Sequence, residues 1–273
     1  MRIISISTDL GENNFGLAKF QATLMSSFPQ SQVLNLFHHS ESFDIESIAY
    51  HIYGAIKTFP AESIHLSFCK YSISKFNLLI SKINQQYIIT PNNGLFSLLH
   101  SIDYNAKVYS LEYGDIPFDY SHYQNNFLKG LNLIFENKYA IELNEINTFV
   151  QSKPFNTDLV FSEDRIITRV LYTDKLGNII LNILEDDFYQ YMDGNAFHIL
   201  FHMVKIDVLS PNYMTSYNTN RIGAIFNDAG FLEIFMIGGN LSKLFNINKW
   251  TNNKFEIYKD NDTNRQINFQ VRT

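Results

Sequence analysis

The sequence predicts an α/β N-terminal domain with a mostly parallel sheet, followed by a smaller all-β, barrel-like C-terminal domain. Three observations carry this expectation. Through the first half, strand-length apolar runs alternate with runs of helical period. Beyond about residue 150 the helical period fades and short strand signals follow one another. A polar stretch over 153–164, containing Pro154, separates the two regimes. The expected division is 1–152, a linker over 153–164, and 165–273.

Taken in order, residues 3–7 read as a buried strand. Residues 15–25 follow with helical spacing of Phe15, Leu17, Ala18 and Leu24. Residues 32–37 read as a second strand. Over 45–59, Ile45, Ile48, Ala49, Ile52, Tyr53 and Ile56 share one helical face, and Pro60 closes the helix. Residues 64–69, 77–83 and 87–90 read as strands, 95–102 as a short helix, 108–111 as a strand and 123–136 as a helix. In the second region the strands fall at 165–172, 179–183, 196–203, 221–227, 231–237 and 254–258. Asn227-Asp228-Ala229-Gly230 lies between two of them and reads as a hairpin turn.

The 273 residues are 45% hydrophobic and 18% charged, enough to bury a substantial core in one or two domains. The net charge of −6 argues against a bulk electrostatic grip on nucleic acid, which needs a basic face. A single cysteine, Cys69, excludes an intrachain disulfide framework and a cysteine-rich metal site, and fits a cytoplasmic location. No apolar stretch approaches the roughly 20 residues that span a bilayer, and no signal-peptide core opens the chain, so no membrane partner is expected.

Three polar clusters follow strand-like runs: Ser7-Thr8-Asp9-Leu10-Gly11, Pro91-Asn92-Asn93-Gly94, and Thr173-Asp174-Lys175-Leu176-Gly177-Asn178 running on to Asn182. Loops at strand ends are where α/β proteins place ligand contacts. These carboxylates and amides suit a polyhydroxylated or zwitterionic small molecule. The glycine-rich cradle and lysine of a polyphosphate site are missing. Each cluster is open to two readings. Asp9 suits the paired hydroxyls of a ribose, or the cap of the helix that follows. Asp174 suits an ammonium group, or its own turn closed by Gly177. Asn92-Asn93-Gly94 presents amides to a ligand, or is an Asn-Gly turn. Metal sites are poorly supported. His38 and His39 point to opposite faces of a strand, and His198 and His202, spaced for a helix, lie in a strand reading without an accompanying glutamate.

Taken together and in this order, the segments resemble the S-adenosyl-L-methionine hydroxide adenosyltransferases, adenosine-forming hydrolases related to the fluorinase and chlorinase. Thr8-Asp9-Leu10-Gly11 is similar to that family's Thr-Asp-Phe-Gly, and Asn35-Leu36-Phe37-His38 to its Asp-x-x-His. Pro91 to Gly94 matches its Pro-Asp/Asn-Asn-Gly. Asp174, Leu176, Gly177, Asn178 and Asn182 follow its Asp-x-Phe-Gly-Asn with a later Asn. Asn227-Asp228-Ala229-Gly230-Phe231-Leu232-Glu233-Ile234 and Gly239-Asn240 match its closing segments. The resemblance spans nearly the whole chain. It implies a homotrimer, with the adenosyl ligand between the N-domain of one subunit and the C-domain of the next. It implies no cofactor besides the substrate itself. Asp9 would hold the ribose hydroxyls, Asn178 would face the adenine and Asp174 would meet the methionine ammonium. Asn14, Asn93 and Asp228 join the substrate-binding set.

The chain also departs from the family. Its hydrolases carry an Asp after the third strand, an Arg a few residues on and a His in a later loop, which position and activate water. Here the Asp position holds Lys70 and the Arg position at best Lys75, which lacks the planar fork of Arg. His122 is the nearest candidate for the His. Asn14 stands for an acidic residue of the first helix region, and Asp228 for the Ser of the hairpin turn. Two functions follow as expectations: hydrolysis of S-adenosyl-L-methionine to adenosine and methionine, or a trimeric module that binds an adenosyl ligand without turnover.

Overall fold

The computed structural model describes residues 2–11, 14–38, 44–69, 77–112, 120–215, 221–251 and 253–260. It divides into two units, Met1–Pro154 and Phe155–Thr273.

The first unit contains β1 (Arg2–Thr8), α1 (Phe15–Ser27), β2 (Ser31–His38), α2 (Ile45–Thr58), β3 (Ile64–Phe68), β4 (Asn77–Ile83), β5 (Gln86–Pro91), α3 (Leu95–His100), β6 (Val108–Glu112), α4 (Tyr120–Phe135), α5 (Tyr139–Glu142) and β7 (Asn144–Ile146). The sheet order is β2-β1-β3-β5-β4-β6-β7. β2, β1, β3 and β5 form the parallel core. β4 is antiparallel to both β5 and β6, and β7 to β6. The sheet is therefore mixed. Its reversal is a hairpin between β4 and β5 whose two turn residues, Asn84 and Gln85, have φ of 47° and 63°, as a tight hairpin requires. Because β4 reverses against both neighbours, β6 runs in the direction of β5. The C-terminal ends of β1, β2, β3, β5 and β6 thus lie along one edge.

Strand alternation sorts the residues between the two faces. Ile4, Ile6, Ile64 and Leu66 pack with Phe20 and Leu24 of α1 and Phe127 and Leu131 of α4. The alternate residues Ser5 and His65 form a buried polar chain on the other face. Gln86 Nε2 donates to the carbonyls of Ile56 (2.8 Å) and Phe59 (3.0 Å), so its Oε1 is left to face His65 Nε2 at 2.7 Å. His65 therefore donates from Nε2 and accepts at Nδ1 from the Ser5 hydroxyl, 2.7 Å away, which is a neutral imidazole. Burial pushes its pKa down to about 4.

The second unit contains β8 (Val160–Phe161), β9 (Arg165–Thr173), β10 (Ile179–Leu184), α6 (Glu185–Met192), β11 (Ala196–Phe201), β12 (Val204–Ile206), β13 (Ile222–Phe226), β14 (Phe231–Met236), α7 (Leu241–Leu244) and β15 (Lys254–Asp260). The order is β12-β11-β15-β9-β10-β14-β13, with β8 on β9, and the strand pairs are antiparallel. A bridge between Leu209 and Ala224 brings the chain after β12 against β13, so the sheet nearly closes into a barrel. Ile179, Leu181, Ile183, Ala224, Leu232 and Ile234 point into its core, with Phe188 and Met192 of α6 among them. No helix was expected at α6. Its acidic first turn masks the apolar pair, and it is short.

The polar stretch 153–164 carries structure of its own. Phe155 is buried against Phe231, and Asn182 fastens the segment. Its amide donates to the carbonyls of Phe155 (3.2 Å) and Thr157 (2.8 Å), and its oxygen accepts from Thr168 Oγ1 and Arg169 N, both at 2.8 Å. Among the described residues no helix is long and apolar enough to cross a membrane.

Candidate functional site

In the first unit the chain steps outward from β1 to β2, then returns across β1 to β3. The strand order therefore reverses between β1 and β3, and in open α/β sheets the C-terminal ends at such a reversal are where ligands bind. Asp9 directly follows β1, Cys69 directly follows β3, and Asn93 lies two residues beyond β5. These three come together. Asp9 is only 3% exposed. The Cys69 thiol is buried, bonded to Ser67 Oγ at 2.9 Å and to the Asn93 side chain. Burial pushes its pKa well above the ordinary thiol range, and the carboxylates of Asp9 and Asp44 add to this. Cys69 is thus a packed, inert thiol, and Asp9 and Asp44 are near enough to bear on it.

The helix caps resolve one question left by the sequence. The cap of α1 is Asn14, whose side chain accepts from Leu17 N at 3.2 Å. Asp9 does not fill that role. Asp44 caps α2, accepting from Ser47 N at 3.1 Å and from Ser47 Oγ at 2.6 Å. Asn93 Oδ1 accepts from Leu95 N at 3.1 Å, at the start of α3. Its neighbour Asn92 accepts from Val150 N at 2.8 Å and so pins the chain that leaves the unit. Gly94 sits at φ +97°, where an added Cβ would also overlap Ser152 Oγ; the Asn-Gly turn is sterically required here.

In the second unit, Asp174 and Asn178 share a turn closed by Gly177, itself at φ +88°. Asn178 N donates to Asp174 Oδ1 at 2.8 Å and Asn178 Nδ2 to Asp174 Oδ2 at 3.0 Å. Glu233 joins them. It lies on β14 opposite Ile180 of β10 and Ile225 of β13, on the face turned away from the barrel core. Its carboxylate accepts from Asn227 Nδ2 at 3.0 Å, with the polar groups of Tyr213 and Asn178 close by. Burial raises the Glu233 pKa above the ordinary carboxylate value, partly offset by the nearby Asn227, Tyr213 and Asn178 side chains. Burial and the Glu233, Asp228 and Asp174 carboxylates hold the Tyr213 hydroxyl protonated. Asp228 itself is exposed at the tip of the β13–β14 turn.

Lys70 and Lys75 lie outside the described residues, as does the side chain of His122 on α4. Of the histidines weighed for a metal, His39 lies outside as well. His198 bonds to Asp260 at 2.7 Å and stacks on Tyr258, while His202 stacks on Phe245. Sequence reasoning passed over Cys69, Tyr213 and Glu233 as site residues. For Glu233 a signal existed: one carboxylate inside the apolar run Phe231-Leu232-Glu233-Ile234-Phe235 must be burying a charge or meeting a partner.

Comparison with known proteins shows the family and the fold. Over 259 residues, 90% of this chain and 92% of the relative, the sequence is 24% identical to the (R)-S-adenosyl-L-methionine hydrolase of Methanocaldococcus jannaschii. The fold is shared with two solved structures. One is a conserved protein of Thermotoga maritima, with a TM-score of 0.71, 19% identity and coverage of 93% of this chain and 99% of the other. The second is a conserved hypothetical protein of Thermus thermophilus, with a TM-score of 0.61, 17% identity and coverage of 95% and 100%. Residues 4–135 match the SAM hydroxide adenosyltransferase N-terminal domain and residues 168–265 the corresponding C-terminal domain, so the chain belongs to the SAM hydroxide adenosyltransferase family.

Proposed function

We propose that this protein binds S-adenosyl-L-methionine and hydrolyses it to adenosine and L-methionine. The observation that carries the reading is Asp9. It is a buried carboxylate at the reversal of strand order, grouped with Asn93, in the motif that the family resemblance assigns to the ribose hydroxyls. Two carboxylate oxygens match two vicinal hydroxyl donors. In the second unit Asp174 keeps unused lone pairs beyond its bonds to Asn178 and suits the methionine ammonium.

In the proposed reaction the oxygen of water bonds to the ribose 5′ carbon as the carbon–sulfur bond breaks. Sulfur keeps the electron pair and leaves as the neutral thioether of methionine, and the water proton passes to a base or to solvent. The sulfonium needs no acid to expel it, so rate depends on alignment and on stripping solvent from the nucleophile. Lys70, Lys75 and His122 are the candidates for the water site. A lysine can take the water proton only if burial depresses its pKa strongly. A charged lysine beside a sulfonium is unfavourable.

That substitution favours a second reading, a homotrimeric module that holds an adenosyl ligand without turning it over. Loss of the base costs on the order of 10²–10⁴ in rate while leaving binding intact. Incubation of the purified protein with S-adenosyl-L-methionine, with adenosine followed by chromatography and Asp9→Ala as control, separates the two. Adenosine formed by the wild type and lost in the variant supports the hydrolase. Binding of adenosine without turnover supports the module, and neither turnover nor binding sinks both. Light scattering tests the trimer.

A further inference from the structure

The turn between β9 and β10 is held from outside by α7. Within the turn, Asp174 N donates to Asn178 O and Gly177 N to Asp174 O, each at 3.1 Å, so residues 174–178 form one closed unit. That unit meets the start of α7 at Gly177, which is buried and has φ +88°. Ser242 N donates to Gly177 O at 3.0 Å. A Cβ added at Gly177 would overlap the Oδ1, Cγ and Nδ2 atoms of Asn240, so the Asn240 side chain lies directly on the Gly177 α-carbon. Asn240 is fixed in its turn. Its Oδ1 caps α7, accepting from Lys243 N at 2.8 Å and from Ser242 Oγ at 3.1 Å. α7 is anchored in the barrel, because Leu241 and Ile247 are both buried in the core and Ile247 N donates to Ser242 O at 2.8 Å. The core thus places α7, α7 places the Asn240 side chain, and Asn240 limits how far the turn settles toward the barrel.

We propose that Asn240 is a positioning residue: packed on Gly177, it fixes the stand-off of the Asp174–Asn178 turn, and so places groups that hold the adenosyl ligand without touching that ligand itself. The proposal rests on the adenosyl reading above and deepens it. Hydrogen bonds weaken steeply when donor and acceptor are misaligned. A binding group must therefore be held within about 0.5 Å of its productive place by the packing of its neighbours. Glycine at 177 and the capping amide at 240 are two halves of one fit. A side chain at 177 would push the turn outward, and loss of the side chain at 240 would let it sink.

The test is calorimetric titration of adenosine into the full-length wild type, Asn240→Gly and Asn240→Asp, with urea unfolding of each. Adenosine is neutral, so the charge that aspartate adds does not act on it. Glycine is nearly as good a cap as asparagine. Asn240→Gly should therefore keep the urea midpoint while opening the space above Gly177, and its affinity is expected to fall about tenfold. Asn240→Asp keeps both the cap and the shape and should bind within about twofold of the wild type. Unchanged affinity in Asn240→Gly overturns the proposal, whatever the midpoint does, and leaves the adenosyl reading standing. A loss that Asn240→Asp does not restore also overturns it, since the amide itself would then be meeting the ligand. A double-mutant cycle with Gly177→Ala checks the contact by stability alone. The strain of alanine at positive φ is common to both backgrounds, so Gly177→Ala should cost less in Asn240→Gly than in the wild type. Equal costs overturn the contact without any ligand. No binding of adenosine by the wild type overturns the adenosyl reading and this proposal with it.

Discussion

The two clusters of polar side chains are built on opposite principles. In the first unit, Asp9, Cys69 and Asn93 are far apart in sequence and meet because parallel strands deliver their following loops to one edge. In the second unit, Asp174 and Asn178 are four residues apart and bond to each other inside one turn, and Glu233 reaches them from an adjacent antiparallel strand. The first arrangement relies on the sheet to bring its groups together, so on the proposed reading Asp9 serves the ligand more than the fold. The second ties Asp174 to Asn178 and Glu233 to Asn227 by hydrogen bonds within the unit, so orientation and local stability depend on the same bonds. Changes at the first cluster should therefore separate function from stability, and changes at the second should mix them.

The largest effect is expected at Asp9. On the proposed reading, Asp9→Ala removes both acceptors for the ribose hydroxyls. At roughly 1.5–3 kcal/mol for each charge-assisted bond, adenosine formation should fall about 10³-fold. The urea midpoint should move far less, since a buried charge is also a desolvation cost relieved by its removal. A large drop in both would mean that Asp9 is a structural carboxylate and would erase the contrast.

Next comes pH, where the units are expected to respond in opposite directions. His65 has its pKa lowered from 6.5 to about 4. The unfolded chain takes up a proton there that the folded chain refuses. Its contribution is fully present above pH 6.5 and is lost as pH falls toward 4, a change of about 3 kcal/mol. Glu233 is shifted the other way. The folded state keeps its proton longer, so the stability it brings is present below pH 4.5 and is lost as pH rises through its folded value. Urea midpoints from pH 4 to 7 check both signs. His65→Gln should flatten the acid-side loss, and Glu233→Gln should flatten the opposing slope.

Asn182 sharpens the comparison further. Sequence reading carried it along with the Asp174 motif, but its amide closes four hydrogen bonds among Phe155, Thr157, Thr168 and Arg169. Asn182→Ala removes all four bonds at once, although the Thr157 carbonyl keeps Arg169 Nε at 3.1 Å and Thr168 Oγ1 keeps the Arg169 carbonyl at 3.3 Å. It should cost about 2 kcal/mol in urea unfolding while leaving adenosine affinity unchanged. A loss of affinity with unchanged stability would return Asn182 to the ligand.

The strands and long helices were legible because their apolar periods are strong. In α2, Ile48, Ile52 and Ile56 fall on one buried face; in β10, Ile179 to Ile183 is an unbroken buried run. The fold class followed from their order alone. What the sequence hid was pairing. Nothing in residues 77–90 says that β4 turns back as a hairpin and makes the sheet mixed, except Asn84-Gln85, which carries no glycine to mark the turn. The candidate cluster was legible where a polar residue ends a strand, as at Asp9. It was hidden where a polar residue lies within one, as at Glu233, or where an apolar-looking residue supports the cluster, as at Cys69. Caps were the other ambiguity. Asp9 and Asn14 both precede α1, and only backbone geometry assigns the role to Asn14.

The smallest effect is expected at Asp228. It is exposed at the tip of the β13–β14 turn, whose geometry is held by Asn227, with Gly230 N donating to Asn227 O at 2.8 Å. Asp228→Ala should therefore change stability by no more than about 0.5 kcal/mol. Its charge does reach the second cluster, since it helps hold the Tyr213 hydroxyl protonated. Removing it should weaken binding of a cationic ligand such as S-adenosyl-L-methionine by about two- to threefold, an effect that fades in high salt, and should leave neutral adenosine untouched. Equal loss for both ligands would mean that Asp228 contacts the nucleoside directly. The exposed turn would then belong to the ligand site itself, and the division between the buried cluster and surface charge in this unit would have to be redrawn.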